Sequence, residues 1–167
     1  MKKNILLLVG PIQTGKSSAL QRLFSHREDV RGFITPDGEN GREVHILPRD
    51  SEPIIPMQAE NPSGKTLSIG RYHFYTSAFE AMKSEFKQLQ RNPAKWNVVD
   101  ELGKLELKGE GLSPEIDKLI FTWKSRSNDD KLILVIRDEL IKKASQTHGL
   151  QDFPEISLED LEEILKT

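Results

Sequence analysis

From residue 4 the chain reads Asn-Ile-Leu-Leu-Leu-Val (4–9), Gly-Pro-Ile-Gln-Thr-Gly-Lys-Ser (10–17) and Ser-Ala-Leu-Gln-Arg-Leu-Phe (18–24). The middle segment fits the pattern G-x-x-x-x-G-K-[ST] of a phosphate-binding loop at every position. The apolar segment before it favours a buried strand, and the segment after it favours an amphipathic helix. This strand-loop-helix context is what the motif requires, so the stretch predicts the phosphate-binding loop of an α/β fold.

Each part of this loop has an expected role in holding a nucleoside triphosphate. Backbone N–H groups of residues 12 to 18 are expected to wrap the α- and β-phosphates, and the helix that begins near Lys16 directs its positive end at them. Lys16 is expected to neutralise the β/γ oxygens, and Ser17 to ligate Mg²⁺. The predicted nucleotide-binding residues are Gly10, Pro11, Ile12, Gln13, Thr14, Gly15, Lys16, Ser17 and Ser18.

The composition is that of one globular domain, which we assign to residues 1–167. Hydrophobic residues make up 36% and charged residues 30%, which is ordinary for a water-soluble protein. The formal net charge of −2 gives no global basic field that would attract nucleic acid or an anionic membrane. The absence of cysteine excludes disulfides, thiolate zinc sites and cysteine nucleophiles, and it fits a reducing compartment.

The hydropathy pattern predicts a cytoplasmic protein. The apolar run at residues 5–9 is too short for a signal-peptide core and leads directly into the phosphate loop. No segment approaches the roughly 18 apolar residues that a membrane span needs. We expect a monomer that acts on a nucleoside triphosphate, with no nucleic-acid or membrane partner.

Periodicity and turn signals predict the remaining elements. Strands are expected at 30–35, 42–47, 53–57, 65–74, 96–99 and 131–136, the first two of them forming a hairpin. Helices are expected at 76–91, 113–125, 138–147 and from 157 onward. The predicted N-caps are Thr76 or Ser77, Ser113 (with Pro114 at the first helical position) and Ser157, which forms a capping box with Asp160. The order predicts an α/β domain with parallel strands at its centre and an antiparallel hairpin insertion.

A second candidate cluster lies where the apolar run at residues 96–99 leads into Asp100 and Glu101. An acid that leaves a buried strand beside a phosphate loop is placed to hold the Mg²⁺ shell, and we assign this role to Asp100. Glu101 is assigned to orient or deprotonate the attacking water. An apolar run that ends in two acids also describes a solvated strand end, but the phosphate loop earlier in the chain favours the catalytic interpretation.

The residues around this pair resemble a known family. Residues 100–107 read Asp-Glu-Leu-Gly-Lys-Leu-Glu-Leu, which is similar to the D-E-I-G-K-M-E signature of the small nucleoside-triphosphatase family of the cancer-related type, found also in archaea and bacteria. Further segments agree with the family in order, namely Arg31–Thr35, Ile69–Tyr72 and Val135–Asp138. The resemblance implies a RecA-like P-loop fold, with a mainly parallel sheet flanked by helices. It also implies slow hydrolysis of ATP, GTP and other nucleoside triphosphates with Mg²⁺, by the residues assigned above.

Two positions of the signature admit two interpretations. Lys104 and Glu106 either form a surface ion pair, worth under about 1 kcal/mol, or line the γ-phosphate pocket. The chain also departs from the family pattern: Ile12-Gln13-Thr14 stands where the family loop has Pro-Gly-Val, and Thr35-Pro36-Asp37 stands where the family has threonine, acids and then arginine. A missing inner glycine restricts loop geometry, so the departures bear on activity more than on binding.

Three arginines differ in their expected roles. Arg137 ends the apolar strand at the edge where open α/β sheets bind ligands, and we assign it to stabilise charge on the γ-phosphate. The alternative for Arg137 is a salt bridge with Asp138 or Glu139. Arg42 and Arg71 are interpreted as solvated strand residues.

Aromatic and histidine residues suggest no further site. The run Tyr72–Tyr75 is interpreted as half core and half exposed, since strand side chains alternate between faces. The apolar residues of helix 76–91 at helical spacing are interpreted as core. Zinc is not expected, because no metal-ligand spacing relates His26, His45, His73 and His148.

The leading prediction is therefore a Mg²⁺-dependent nucleoside triphosphatase that hydrolyses ATP or GTP. A small nucleoside or metabolite kinase is an alternative, disfavoured because a glutamate follows the strand acid and no arginine-rich lid is evident. A non-catalytic nucleotide-binding accessory protein is another, kept open by the altered loop. A GTPase switch is rejected because the guanine-reading N-K-x-D motif is absent downstream. The sequence names no preferred base, pathway, turnover rate or protein partner.

Overall fold

Parallel strands at the centre of a mixed sheet, with helices packed on both faces, make up most of the computed structural model. The structure describes residues 3–10, 16–49, 53–59 and 65–167. No helix within these ranges is both long enough and apolar enough to span a membrane.

The elements follow one another in the order that the sequence predicts, with three extra two-residue strands (β3, β6 and β11), one predicted strand divided into two (β7 and β8), and one extra α-helix (α3). The strands are β1 (Ile5–Gly10), β2 (Val30–Ile34), β3 (Asp37–Gly38), β4 (Gly41–Leu47), β5 (Ile54–Pro56), β6 (Gln58–Ala59), β7 (Thr66–Ile69), β8 (Tyr72–Tyr75), β9 (Trp96–Asp100), β10 (Lys131–Arg137) and β11 (Glu155–Ile156). The helices are α1 (Lys16–Phe24), α2 (Thr76–Arg91), α3 (Lys104–Leu107), α4 (Glu115–Lys124), α5 (Ile141–His148) and α6 (Leu158–Leu165).

The main sheet has the strand order β11-β1-β10-β9-β2-β4-β3, and β5 pairs with β4. Pairing is parallel from β11 through β2 and antiparallel between β2, β4 and β3. A separate three-stranded antiparallel sheet, β6-β8-β7, is called the side sheet below. The predicted fold class, a mainly parallel sheet flanked by helices with an antiparallel hairpin insertion, is confirmed.

The two faces of the parallel strands bury two cores. Successive strand residues point to opposite faces, so Ile5 and Leu7 pack with α2, α4 and α5, whereas Leu6 and Leu8 pack with α1 and α6. The apolar stripe of α2 lies in the first core, as predicted; its buried members are Ala78, Phe79, Met82, Phe86 and Leu89. This double burial fixes the carboxyl ends of the strands at one edge of the sheet.

One predicted strand is wrong. Residues 65–74 form two strands, β7 and β8, which pair antiparallel across a turn at Gly70. Gly70 has a φ of +57°, a conformation that glycine adopts without the penalty a side chain would bring, and this reverses the chain. Within the hairpin both Phe74 and Tyr75 pack against the core and Tyr72 is 44% exposed, so burial increases along β8 and does not follow the predicted alternation.

Two predicted helix caps are also wrong. Tyr75 occupies the N-cap of α2 without a side-chain cap, and the Thr76 hydroxyl donates to the Lys65 carbonyl instead, at 3.1 Å. Pro114 occupies the N-cap of α4, and the Ser113 hydroxyl donates to a backbone carbonyl of α3 at 3.3 Å. In both cases a tertiary partner takes the hydroxyl that the sequence assigns to the helix end.

The cap of α6 is confirmed. The Asp160 N–H donates to the Ser157 hydroxyl at 3.1 Å, and the Ser157 N–H donates to the Asp160 carboxylate at 2.9 Å. These reciprocal bonds form the predicted capping box, and the second of them lowers the pKa of Asp160.

Candidate active site

The carboxyl ends of three neighbouring parallel strands, β1, β10 and β9, bring predicted site residues together. In the register of the sheet, Gly10 lies opposite Arg137 and Asp100 lies opposite Val135. Glu101 follows directly after β9. Because parallel strands end at one edge, the acids of β9 and the arginine of β10 meet beside the end of β1, where open α/β sheets bind ligands.

Lys16, the first residue of α1, points back toward this edge. Its ammonium donates to the Gly10 carbonyl at 2.6 Å. Burial lowers the pKa of Lys16, while the nearby carboxylates of Glu101 and Asp100 act in the opposite direction. Lys16 thus lies within electrostatic reach of both acids.

The structure describes only part of the predicted nucleotide loop. Gly10, Lys16, Ser17 and Ser18 lie in the described part of the chain, at the end of β1 and the start of α1. The remaining loop residues lie outside the described residues; these are Pro11, Ile12, Gln13, Thr14 and Gly15.

Asp100 is buried at the centre of the site. It is 2% exposed, and the Thr35 N–H donates to its Oδ2 at 3.0 Å. Burial, with the neighbouring charge of Glu101, raises the pKa of Asp100 to about 6, against the lowering effect of the Thr35 bond. A carboxylate that is so poorly solvated is a favourable place for a cation, because a nearby positive charge offsets the cost of burial.

Glu101 lies between two guanidinium groups. Its Oε1 is 3.2 Å from Nη2 of Arg137 and 3.7 Å from Nη1 of Arg42. Arg137 also lies 4.0 Å from the Glu139 carboxylate, so the salt bridge considered as an alternative coexists with the closer contact to Glu101. The arrangement places Arg137 beside the carboxylate that is assigned to activate water.

The interpretation of Arg42 as a solvated residue is wrong. Its side chain is only 27% exposed and reaches Glu101 and, at 3.9 Å, Asp37. No sequence signal identifies this contact, since it depends on the antiparallel register that sets Arg42 opposite Asp37, just beyond the end of β2. Arg71 is exposed and stacks on the Tyr72 ring, with its guanidinium carbon 5.2 Å from the ring centre.

The two signature positions have separate environments. Glu106 is 5% exposed and accepts hydrogen bonds from the N–H groups of Gly103, at 2.8 Å, and Leu112, at 3.0 Å. Burial raises the pKa of Glu106, although these bonds oppose the rise. Lys104 is exposed and, within the described residues, makes no ion pair with Glu106. Both residues line a cavity of about 170 Å³ next to Glu101.

The chemistry of the site fits one divalent cation that is shared with a phosphate group. Within the described ranges, no three histidine or acidic side chains converge into a cluster able to hold a metal ion. Mg²⁺ is commonly bound by one or two carboxylates together with substrate phosphates, and hydroxyl and carboxylate oxygens are ligands of the kind it prefers. Asp100 and Ser17 supply donors of these two types.

Comparisons with known proteins bear on the family and the fold of the chain. The family model described as NTPase matches residues 5–159. THEP1 from the hyperthermophile Aquifex aeolicus has a similar structure, with a TM-score of 0.65 and 18% identity, over 97% of this chain and 95% of that one. A human cancer-related nucleoside triphosphatase has a TM-score of 0.63 and 19% identity, over 99% and 98% of the two chains. These two likenesses show the fold. A search of curated proteins found no significant match.

Proposed function

The chain belongs to the NTPase family, and we propose that it hydrolyses nucleoside triphosphates such as ATP and GTP to the diphosphate and phosphate, with Mg²⁺ as cofactor. The observation that carries this proposal is the meeting of Lys16, Asp100, Glu101 and Arg137 at the end of β1. A cation, a buried acid, a second acid and a guanidinium are the groups that phosphoryl transfer to water requires.

The binding step uses Lys16, Ser17 and Asp100. Lys16 exchanges its bond to the Gly10 carbonyl for the β- and γ-phosphate oxygens, which are stronger partners because they are charged. Ser17 and Asp100 would hold Mg²⁺, which when bound neutralises charge on these oxygens. The Thr35 N–H keeps the Asp100 carboxylate in place.

The chemical step uses Glu101 and Arg137. Glu101 accepts a proton from water as the water oxygen bonds to the γ-phosphorus, and the bond to the bridging oxygen breaks, so that the diphosphate leaves. Arg137 lies beside Glu101, which faces the attacking water, so its guanidinium can turn toward the γ-phosphate and stabilise the charge that develops there.

A nucleotide panel with two variants tests this function. We expect phosphate release from ATP, GTP, CTP or UTP that needs Mg²⁺ and no added acceptor. Glu101→Gln should lower turnover by about 100-fold or more and leave nucleotide-dependent thermal stabilisation in place. Glu110→Gln, the same change at an exposed glutamate, should turn over like the parent.

Two outcomes would favour the other interpretations. Unchanged hydrolysis by Glu101→Gln would remove the water-activating role from this residue. Thermal stabilisation without phosphate release would favour a non-catalytic nucleotide-binding protein.

A further inference from the structure

The cavity next to Glu101 has an apolar wall that hydrolysis alone does not use. This wall is built from the chain between β5 and β6, the side sheet, α2 and the segment after α3; it includes Met57, Phe74, Phe79, Met82 and Leu112. Phe74 and Phe79 meet edge to face, with ring centres 6.5 Å apart and an angle of 87° between the ring planes. A rigid aromatic corner beside two adaptable methionines is typical of a site that receives a ring.

The opposite end of the cavity is polar and belongs to the catalytic cluster. Asp100, Glu101, Arg42 and Arg137 line it. Both arginines are ion-paired with Glu101, and within the described residues none of the lining polar side-chain atoms is buried without a hydrogen-bond partner. Lys104 and Glu106 line the cavity as well, so its lining has three cationic and three anionic side chains. Because these charges balance, an uncharged ligand with one polar group suits this cavity better than a charged one, which would leave a net charge there.

The cavity lies on the side of the site where the γ-phosphate is expected. In an in-line transfer the acceptor lies opposite the leaving diphosphate, on the side of the γ-phosphorus where Glu101 is assigned to take up a proton. The cavity adjoins Glu101, so it is positioned for an acceptor, and this step rests on the proposed function.

We propose that the cavity binds a small uncharged alcohol with one ring, and that this alcohol accepts the γ-phosphoryl group in place of water. The volume of about 170 Å³ suits one ring with a short substituent, since an apolar cavity of about 150 Å³ takes up benzene. The ring packs against the Phe74–Phe79 corner, and the hydroxyl points to Glu101.

The transfer balances without any further reactant. The hydroxyl proton passes to Glu101 as the hydroxyl oxygen bonds to the γ-phosphorus. The bond from the γ-phosphorus to the bridging oxygen breaks, and its electron pair leaves with the nucleoside diphosphate. The products are a phosphate monoester and the diphosphate, and Glu101 returns the proton to solvent.

The methionines make binding directly measurable. The chain has three, and two of them, Met57 and Met82, line the cavity. In protein labelled with ¹³C at the methionine methyl groups, titration with benzyl alcohol without nucleotide should shift the Met57 and Met82 signals to saturation, with the Met1 signal as reference. Met57→Trp, which fills the cavity, should weaken binding at least tenfold, and Met57→Leu should bind like the parent. If the Met57 and Met82 signals of the parent show no saturable shift, the cavity is not a binding site for this alcohol. This test uses the parent protein alone, so it remains valid even if Met57→Trp does not fold.

A second measurement separates this proposal from the hydrolase itself. With ATP, Mg²⁺ and benzyl alcohol, ³¹P NMR should detect benzyl phosphate from the parent and none from Glu101→Gln. Saturable shifts with inorganic phosphate as the sole product would overturn the transfer step. Saturable shifts with no ATP turnover of either kind would overturn both transfer and the proposed hydrolysis, while supporting the cavity as a binding site.

Discussion

The parallel strands and the antiparallel strands of this protein contribute to the candidate site in different ways. In the parallel half, β11-β1-β10-β9-β2, the four longer strands are largely buried on both faces, and Lys16, Asp100, Glu101 and Arg137 lie at strand ends or beyond them. The antiparallel strands form short hairpins with mixed exposure, and they supply Arg42 from β4 and the aromatic wall from β8.

The difference indicates a division of labour. Strands buried on both faces have one register that fits the core, so their ends hold reacting groups in fixed positions. Hairpins at the edge of a fold tolerate change in length and exposure, so they are suited to select what enters beside those groups. We expect substitutions in the parallel half to abolish nucleotide hydrolysis, and substitutions in the antiparallel strands to change its rate only moderately.

The largest expected effect comes from the parallel half. Lys16→Met keeps most of the side-chain length but removes the ammonium, so turnover of ATP should fall by about 1,000-fold, as for the loss of a charge-stabilising donor. Steady-state phosphate release measures this. Lys87→Met, at an exposed position of α2, is the matched control and should leave turnover unchanged. A Lys16→Met rate within tenfold of the parent would show that the end of β1 does not carry the phosphate chemistry.

Hydrogen exchange compares the two regions without any substitution. Amides of β9 and β10 have strand partners on both sides, whereas the side sheet has three strands of two to four residues. Short, partly exposed sheets open locally at lower free energy, so side-sheet amides should exchange about 100-fold faster. Mass spectrometry of the nucleotide-free protein measures the rates. Equal protection in both regions would mean that the side sheet opens only with the whole fold.

The difference between the parallel and the antiparallel strands also explains which parts of the structure the sequence could predict. An apolar run long enough for a buried strand is visible in the sequence, so the four longer parallel strands, and with them the positions of Asp100, Glu101 and Arg137 at strand ends, were predictable, whereas the two-residue strand β11 was not. The pattern alone predicts the residues of the phosphate loop, and this stays a prediction, since the structure describes only Gly10, Lys16, Ser17 and Ser18 of them. In the antiparallel region, Gly70 carries the turn that splits residues 65–74, but a glycine inside an apparent strand also fits a bulge.

The contacts of Arg42 and Glu106 were not predictable for another reason. Arg42 approaches Glu101 only because the β4 register sets it opposite Asp37, and register is a property of two strands together. The Glu106 carboxylate finds the N–H groups of Gly103 and Leu112 within an irregular segment that has no periodicity to interpret.

The buried carboxylate of Asp100 should lower the free energy of unfolding at pH values where it is charged. Its pKa rises from 3.8 to about 6 in the folded protein, so the folded state binds the proton more tightly than the unfolded chain does. Stability should therefore increase as the pH falls from above 6 towards 4, and the cost of the charge is fully present above pH 6. Asp100→Asn keeps an acceptor for the Thr35 N–H and should raise the free energy of unfolding at pH 8 by about 2 kcal/mol.

Urea unfolding in Mg²⁺-free buffer at pH 8 and pH 5 measures this difference. Asp152→Asn, the same change at an exposed aspartate, is the control and should leave the free energy of unfolding nearly unchanged at both pH values. A loss of stability in Asp100→Asn at pH 8 would mean that the carboxylate is better solvated or better paired than its burial implies.

The smallest expected effect tests the antiparallel contribution to catalysis. Arg42 acts through Glu101 at 3.7 Å, and a partly exposed ion pair of this kind is worth about 1 kcal/mol, which corresponds to about fivefold in rate. Arg42→Gln should therefore lower kcat for ATP about fivefold and leave KM unchanged, and Arg42→Lys should recover part of the loss. Arg71→Gln, the matched change at an exposed hairpin arginine, should behave like the parent. If Arg42→Gln instead lowered kcat as strongly as Glu101→Gln does, the antiparallel strands would supply a group that takes part in the reaction. The proposed division of labour between the two regions would then be wrong.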